Sequence, residues 1–353
     1  VTAEPLTLPL TEPFAIATGA QTAAGNVLVR VELEDGTVGL GEAAPFPAVS
    51  GETQEGTLAA LRASVPGLAV GADARAWRPL AEALTRALPR APAARCGVEM
   101  AVLDALARHH GLPLWAFFGG AGTELTTDMT ITAGDRAHAV SSARAVLARG
   151  ISTLKVKVGA RPPREDAERL ADIHAACPTA RLLADANGGW DAAGAADFLD
   201  ALERAGVPLA FFEQPVPAAD LEGMAALVAR GTVPICADES ARSAADVVRL
   251  VKAGAASAVN LKVTKSGVTE TLAMWAVARA AGLGLMVGGM VESVLAMSFS
   301  AHLAAGLGGF SEVDLDTPFF IAGHPFRGGF TVEAGRLSVA HVERGHGVEL
   351  AAP

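Results

Sequence analysis

The chain has 353 residues, 51% of them hydrophobic and 19% charged, with a formal net charge of -10. That composition builds one large barrel or two ordinary domains, and it excludes a disordered chain. No run approaches the roughly 18 uninterrupted apolar residues of a membrane span, the acidic balance disfavours a nucleic-acid surface, and the separated Cys96, Cys177 and Cys236, without a CxxC, read as buried thiols. The expected partners are therefore small molecules, with no nucleic acid and no membrane. Val1 to Pro13 lacks a basic stretch followed by an apolar core, so the expectation is no signal peptide and a cytoplasmic location.

In chain order, Val27 to Leu40 alternates apolar and polar residues around Glu34-Asp35-Gly36, as an antiparallel hairpin does. Helical periodicity then runs through Glu55 to Ser64, Trp77 to Leu88 and Val98 to Arg108, until Gly119-Gly120 breaks it. Residues 1–120 thus read as an α+β unit. From Thr126 the texture changes to short apolar runs, each followed by an amphipathic helix. The runs are Asp128 to Thr132, Thr153 to Val158, Arg181 to Ala186, Leu209 to Glu213, Val233 to Ala237, Ala258 to Val263, Gly284 to Gly288 and Glu312 to Leu315. Eight such strands predict a closed parallel barrel over residues 121–320, an α/β architecture of the (β/α)8 TIM type. Residues 321–353, with Gly328-Gly329 and Gly335, read as a β-rich segment returning to the first unit.

Chemistry in such barrels sits at the C-terminal ends of the strands. Lys155-Val156-Lys157 ends the second run, Asp185 the third, Glu213 the fourth, Asp238-Glu239 the fifth, Lys262 the sixth and Asp314-Leu315-Asp316 the eighth. From Lys157 the steps to Asp185, Glu213, Asp238 and Lys262 are 28, 28, 25 and 24 residues, one βα unit each, so these side chains are expected at one height. Any single strand-ending carboxylate also reads as a helix N-cap or a solvated loop charge. Three facing one pocket repel unless a cation lies among them. An oxygen-only set suits Mg2+ best, with Mn2+ as the alternative. The second and sixth strands are opposite in a ring of eight, so Lys157 and Lys262 are expected to face each other. Two bases on opposite faces of one carbon can invert it. A basic lysine must be neutral, which predicts pKa values lowered by burial, the metal and Lys155. The bland alternative is a structural ion network.

The runs Lys155-Val156-Lys157, Asp185-Ala186-Asn187, Phe212-Glu213-Gln214-Pro215, Ala237-Asp238-Glu239-Ser240 and Asn260-Leu261-Lys262 resemble the enolase superfamily, within it the muconate lactonizing subgroup. The resemblance covers nearly the whole chain and extends, less specifically, through Arg95 to Met100 and Gly111 to Gly120. It implies an N-terminal capping domain over the barrel, Asp185, Glu213 and Asp238 as metal ligands, Lys157 and Lys262 as acid/base groups, and Lys155 assisting an enolate. It makes Asn187 and Lys265 supporting groups behind the ligands.

Val313-Asp314-Leu315-Asp316-Thr317-Pro318, preceded by Gly288-Gly289-Met290-Val291-Glu292-Ser293, is similar to the dipeptide epimerases. That resemblance implies that Asp314 and Asp316 bind the free α-ammonium of a dipeptide and adds Met290 to the substrate-binding set. By itself the Asp-x-Asp before Thr-Pro reads more often as a turn with Asx-type hydrogen bonds than as a site. Members specific for Ala-Glu carry an arginine in the early capping loop, whereas Phe14 to Thr22 contains none. Ala17 to Gln21, with Thr18 and Gln21 as substrate contacts, and Phe46 to Gly51 are therefore expected to close over a neutral or apolar side chain. Competing readings are N-acylamino acid racemase, o-succinylbenzoate synthase or muconate cycloisomerase on the same scaffold, a non-catalytic metal-binding barrel, and a Schiff-base aldolase using Lys262. Symmetric homo-oligomeric assembly is the default expectation.

Overall fold

The computed structural model describes residues 1–17 and 19–351. Its first strand is longer than the periodicity suggested. β1 (Thr2–Ile16) pairs antiparallel with β2 (Gly19–Glu32), from Thr2 opposite Arg30 to Ile16 opposite Gly19. Leu6, Leu8, Phe14 and Ile16 share its buried phase, while Pro5, Pro9 and Pro13 fall on the exposed phase. Three prolines disguise a strand in the sequence, yet this one is at the sheet edge, where a missing N–H is tolerated. β3 (Val38–Ala43) completes the sheet across the Glu34-Asp35-Gly36 turn.

The helices Gln54–Ser64, Trp77–Ala87 and Pro92–His109 follow. The last begins earlier than expected and lies directly on β3. A Cβ at Gly39 or Gly41 would stand 2.1 and 2.0 Å from the helix carbonyls of Ala101 and Gly97. Those glycines thus allow helix and strand backbones to touch.

After β4 (Glu124–Thr126), each predicted apolar run forms one strand: β5 (Met129–Ile131), β6 (Thr153–Lys157), β7 (Arg181–Asp185), β8 (Phe211–Glu213), β9 (Ile235–Ala237), β10 (Ala258–Lys262), β11 (Gly284–Gly288) and β12 (Glu312–Val313). They pair in parallel in chain order as one eight-stranded sheet. The Asp128 N–H donates to Val313 O at 2.8 Å, joining the first strand's edge to the last. Among the described residues, eight helices interleave these strands, two of them (Val263–Ser266 and Val268–Ala280) between β10 and β11. The fold is thus a modified (β/α)8 barrel beneath an N-terminal α+β domain.

Register fixes the heights. Lys157 stands opposite Asp185, and Asp185 opposite Glu213, while Glu213 pairs with Cys236, two residues before Asp238. Inward-facing Leu183, Phe211, Cys236, Ala258 and Met286 form a small apolar cluster. Each precedes a polar or glycine position by two residues, so a dry layer lies under the charged one.

The chain then turns through Thr317–Phe320 into β13 (Phe326–Gly328), β14 (Thr331–Glu333), β15 (Arg336–Ser338) and β16 (Val348–Leu350). β15 pairs with β4, and β13 with β16. Arg108 Nη2 donates to Val348 O at 2.6 Å and the His346 N–H to Asp104 Oδ1 at 3.0 Å, binding this segment to the helix Pro92–His109.

Candidate active site

On β6 the side chains alternate. Leu154 and Val156 point outward into the apolar core, and Lys155 and Lys157 point into the barrel. Lys155 is 1% exposed and meets Asp314 Oδ2 at 2.6 Å, Glu213 Oε2 at 2.7 Å and Asp185 Oδ2 at 3.3 Å. Lys157 Nζ donates to Asp185 Oδ2 at 2.6 Å. On the other side Lys262 Nζ is 2.8 Å from Asp238 Oδ2. Lys265, on the turn after β10, donates to Asp238 Oδ1, to Asp238 O at 2.6 Å and to Asn260 O at 3.2 Å.

Asn260 Nδ2 donates to Glu213 Oε1 at 2.6 Å. The Asn187 N–H donates to Asp185 Oδ1 at 3.0 Å, and its amide Nδ2 to Glu239 Oε1 at 3.2 Å. Asp185 and Glu213 are therefore each held by a lysine and a polar neighbour, and Asp238 by the two lysines Lys262 and Lys265.

The charge assignment follows from these contacts. Burial raises the Asp185 carboxyl, but Lys157 and Lys155 outweigh it and bring it down to about 2. Asp238 is likewise held low by Lys262 and Lys265 against burial. Glu213 is raised, by burial and by Asp185. The lysine expectation is corrected for Lys262. Burial does pull its pKa down, but Asp238 and Glu213 are stronger and raise it, so among protein charges alone this lysine is a counter-ion. Glu213 Oε2 and Asp238 Oδ2 remain buried without a directed hydrogen bond, although an ammonium lies close to each. Those two oxygens, which no directed donor reaches, are what a hard divalent cation would satisfy, so the residue set fits such an ion.

A second acid group is tighter. Ligand oxygens of Asp128, Asp314 and Asp316 lie within 4.8 Å of one another, the one such convergence of three among the described residues, whereas Asp185, Glu213 and Asp238 do not converge to that distance. Asp316 Oδ2 accepts the Thr130 N–H at 2.5 Å, and its Oδ1 has no partner. Burial and Asp314 push the Asp316 carboxyl up to about 7. Asp128, with both oxygens unpartnered, is raised further by the same causes, while Lys155 and Lys157 hold Asp314 low against burial.

Part of this network borders one narrow cavity. Its lining includes Lys157, Lys262, Asn187, Glu239, Asp314 and Asp316 from the barrel, and Phe14, Ile16, Phe46 and Val49 from the N-terminal domain. Met290 lines it too. Gln21 does not. It stands opposite Phe14 in the β1–β2 ladder and is outside the lining, and Thr18 lies outside the described residues. Sequence reasoning assigned no role to Asp128, Thr130, Glu239 or Asn260. For Asp128, Thr130 and Asn260 the available signal was polarity on the inward phase of otherwise apolar runs, and for Glu239 its place next to Asp238 after β9.

The chain matches two family models, "Mandelate racemase / muconate lactonizing enzyme, N-terminal domain" over residues 2–119 and "Enolase C-terminal domain-like" over 135–353. It is 58% identical to an aromatic dipeptide epimerase of Herpetosiphon aurantiacus, covering 99% of this chain and 98% of that one. It is 36% identical to a hydrophobic dipeptide epimerase of Citrifermentans bemidjiense, covering 97% and 94%. The crystal structure of the dipeptide epimerase of Enterococcus faecalis V583, complexed with Mg and the dipeptide L-Leu-L-Tyr, superposes with a TM-score of 0.93 at 31% identity, covering 99% of this chain and 98% of that one.

Proposed function

Because the chain belongs to the mandelate racemase/muconate lactonizing enzyme family and is an isomerase, we propose that it is a dipeptide epimerase that inverts the α-carbon of the C-terminal residue. The observation that carries this reading is that Lys157 and Lys262 border one cavity together with the paired carboxylates Asp314 and Asp316. In it one lysine removes the α-proton and the other delivers a proton to the opposite face, which leaves the carbon inverted. Lys155, already gripping Asp314, Glu213 and Asp185, offers its positive charge to the developing enolate.

Asp185, Glu213 and Asp238 are the residues that would hold Mg2+, with Mn2+ as the alternative, and Asn187 and Lys265 orient them. When bound, the ion neutralises the carboxylates and offsets the second negative charge that proton loss puts on the substrate carboxylate. Asp314 and Asp316 bind the α-ammonium, a role an N-acylated substrate cannot use.

The side chain of the epimerised residue is proposed to lie against Phe14, Ile16, Phe46, Val49 and Met290. Among the described residues no arginine lines this cavity. A neutral aromatic or aliphatic residue is therefore favoured over an acidic one, in keeping with the names of the Herpetosiphon and Citrifermentans relatives.

The test is a dipeptide library incubated with the protein and Mg2+ in D2O and read by mass spectrometry and chiral separation. Deuterium at the C-terminal α-carbon with inversion is expected, greatest for aromatic and aliphatic residues. No exchange in any dipeptide, or faster exchange in N-acetylated amino acids, would overturn the assignment. A clear preference for Ala-Glu would overturn only the side-chain reading.

A further inference from the structure

We propose that the buried ion pair Asp166–Arg169 is a positioning device for Lys157, setting the placement of one acid/base lysine and not the other. The inference rests on the two-lysine reading above. Both residues belong to the helix Pro163–Ala176, which follows β6, and they are 0% and 2% exposed. Arg169 Nη1 is bonded to Asp166 Oδ1. Arg169 Nη2 donates to the backbone oxygen of Lys157 at 3.1 Å, and Asp166 Oδ2 accepts the Gly159 N–H at 2.9 Å. The pair therefore grips the backbone just before and just after Val158.

The opposite side of this segment is fixed as well. The Val158 N–H donates to Asp185 O at 2.8 Å. Gly159 has φ +93° and lies so close to the next strand end that a Cβ there would stand 2.5 Å from Ala186 O. The end of β6 is thus held between a helix-borne ion pair and the Asp185–Ala186 backbone. Among the described residues no buried ion pair grips the Lys262 backbone in this way. Its strand runs straight into the one-turn helix Val263–Ser266, where Lys265 Nζ donates to the Asn260 carbonyl.

Burying a guanidinium and a carboxylate gains little stability over well-packed apolar residues. What this pair does supply is a directed hydrogen bond on each side of Val158, immediately after Lys157. A shift of about 1 Å in a reacting group can cost on the order of 100-fold in rate.

The experiment follows α-deuterium exchange of each isomer of a dipeptide substrate separately, in Mg2+-loaded protein. Lys157→Ala and Lys262→Ala identify which isomer presents its α-hydrogen to which lysine. In Asp166→Asn/Arg169→Met, which strands no charge, exchange of the isomer facing Lys157 is expected to fall about 10- to 100-fold. Exchange without inversion of the other isomer is expected to stay within about threefold, and KM to change little. Arg169→Lys keeps the charge pair but lacks the fork whose separate Nη1 and Nη2 reach Asp166 and the Lys157 carbonyl, so the same facial bias is expected in a conservatively folded variant. Equal losses on both faces, or no loss on the Lys157 face in the folded variants, would overturn the positioning role. If the two lysine variants show no facial preference, the two-lysine reading fails first and this proposal with it.

Discussion

Asp316→Asn tests the ammonium site most directly. In the wild type, Asp316 Oδ2 is committed to the Thr130 N–H at 2.5 Å, and only Oδ1 is free. Thr130 requires an acceptor, so the asparagine carbonyl takes that place and its NH2 turns to the cavity. A donor then meets the substrate's ammonium where a carboxylate oxygen stood. The loss is therefore a whole charge-assisted hydrogen bond, about 1.5–3 kcal/mol, or roughly 10- to 150-fold in kcat/KM. The assay compares a neutral dipeptide with its N-acetyl derivative, which has no ammonium to lose and is expected to change less than about threefold by the same reasoning.

A pH profile adds a second readout. Burial and Asp314 push the Asp316 carboxyl up to about 7, so below that pH it is protonated and uncharged. Dipeptide kcat/KM is expected to rise through about pH 7 in the wild type, and that limb is expected to vanish in the variant. Equal losses for both substrates, or an unchanged limb, would refute the reasoning.

Gly159→Ala places a Cβ 2.5 Å from Ala186 O at φ +93°. A loss of about 2–4 kcal/mol in urea unfolding is expected, and a loss under 1 kcal/mol would show that the β6–β7 junction yields easily. His302, which accepts the Trp115 N–H, is held down to about 3 by burial, and His346 is lowered for the same reason. Their unfolded forms take up protons first, so stability is full above about pH 6.5 and falls as pH drops toward the folded values. His302 alone costs about 2–3 kcal/mol by pH 4.5, and His302→Gln should flatten that decline in acid unfolding curves. Mg2+ at about a hundredfold excess over its Kd should stabilise chelator-treated protein by roughly 2.7 kcal/mol. Thermal melts of Asp238→Asn should lack this shift. If Asp128→Asn abolishes it and Asp238→Asn does not, the ion belongs to the cluster of Asp128, Asp314 and Asp316.

The barrel was legible because parallel strands covered by helices must be apolar along their whole length, so a charge at a strand's end stands out. That is why Lys157, Asp185, Glu213, Asp238 and Lys262 could be singled out in an unaligned chain. β1 was not legible, because Pro5, Pro9 and Pro13 argue against a strand unless its edge position is known. Gln21 was chosen from a loop whose register the sequence does not encode, and the structure puts Phe14 and Ile16 at the cavity instead. The Asp166–Arg169 pair reads in sequence as an ordinary i, i+3 helix contact.

The sequence alone determined the order of the strands and the residue type at the end of each, since a period of about 25 residues repeats the same face at the same height. Only the tertiary structure decided which charges meet. Barrel closure brings Asp128, just before the first strand, against Asp314 and Asp316 after the last; Asp238 and Glu213 hold Lys262 above its usual pKa against burial, while burial and Asp314 set Asp316 near 7. Electrostatic energy depends on distance and on exclusion of water, and neither is a property of position along the chain.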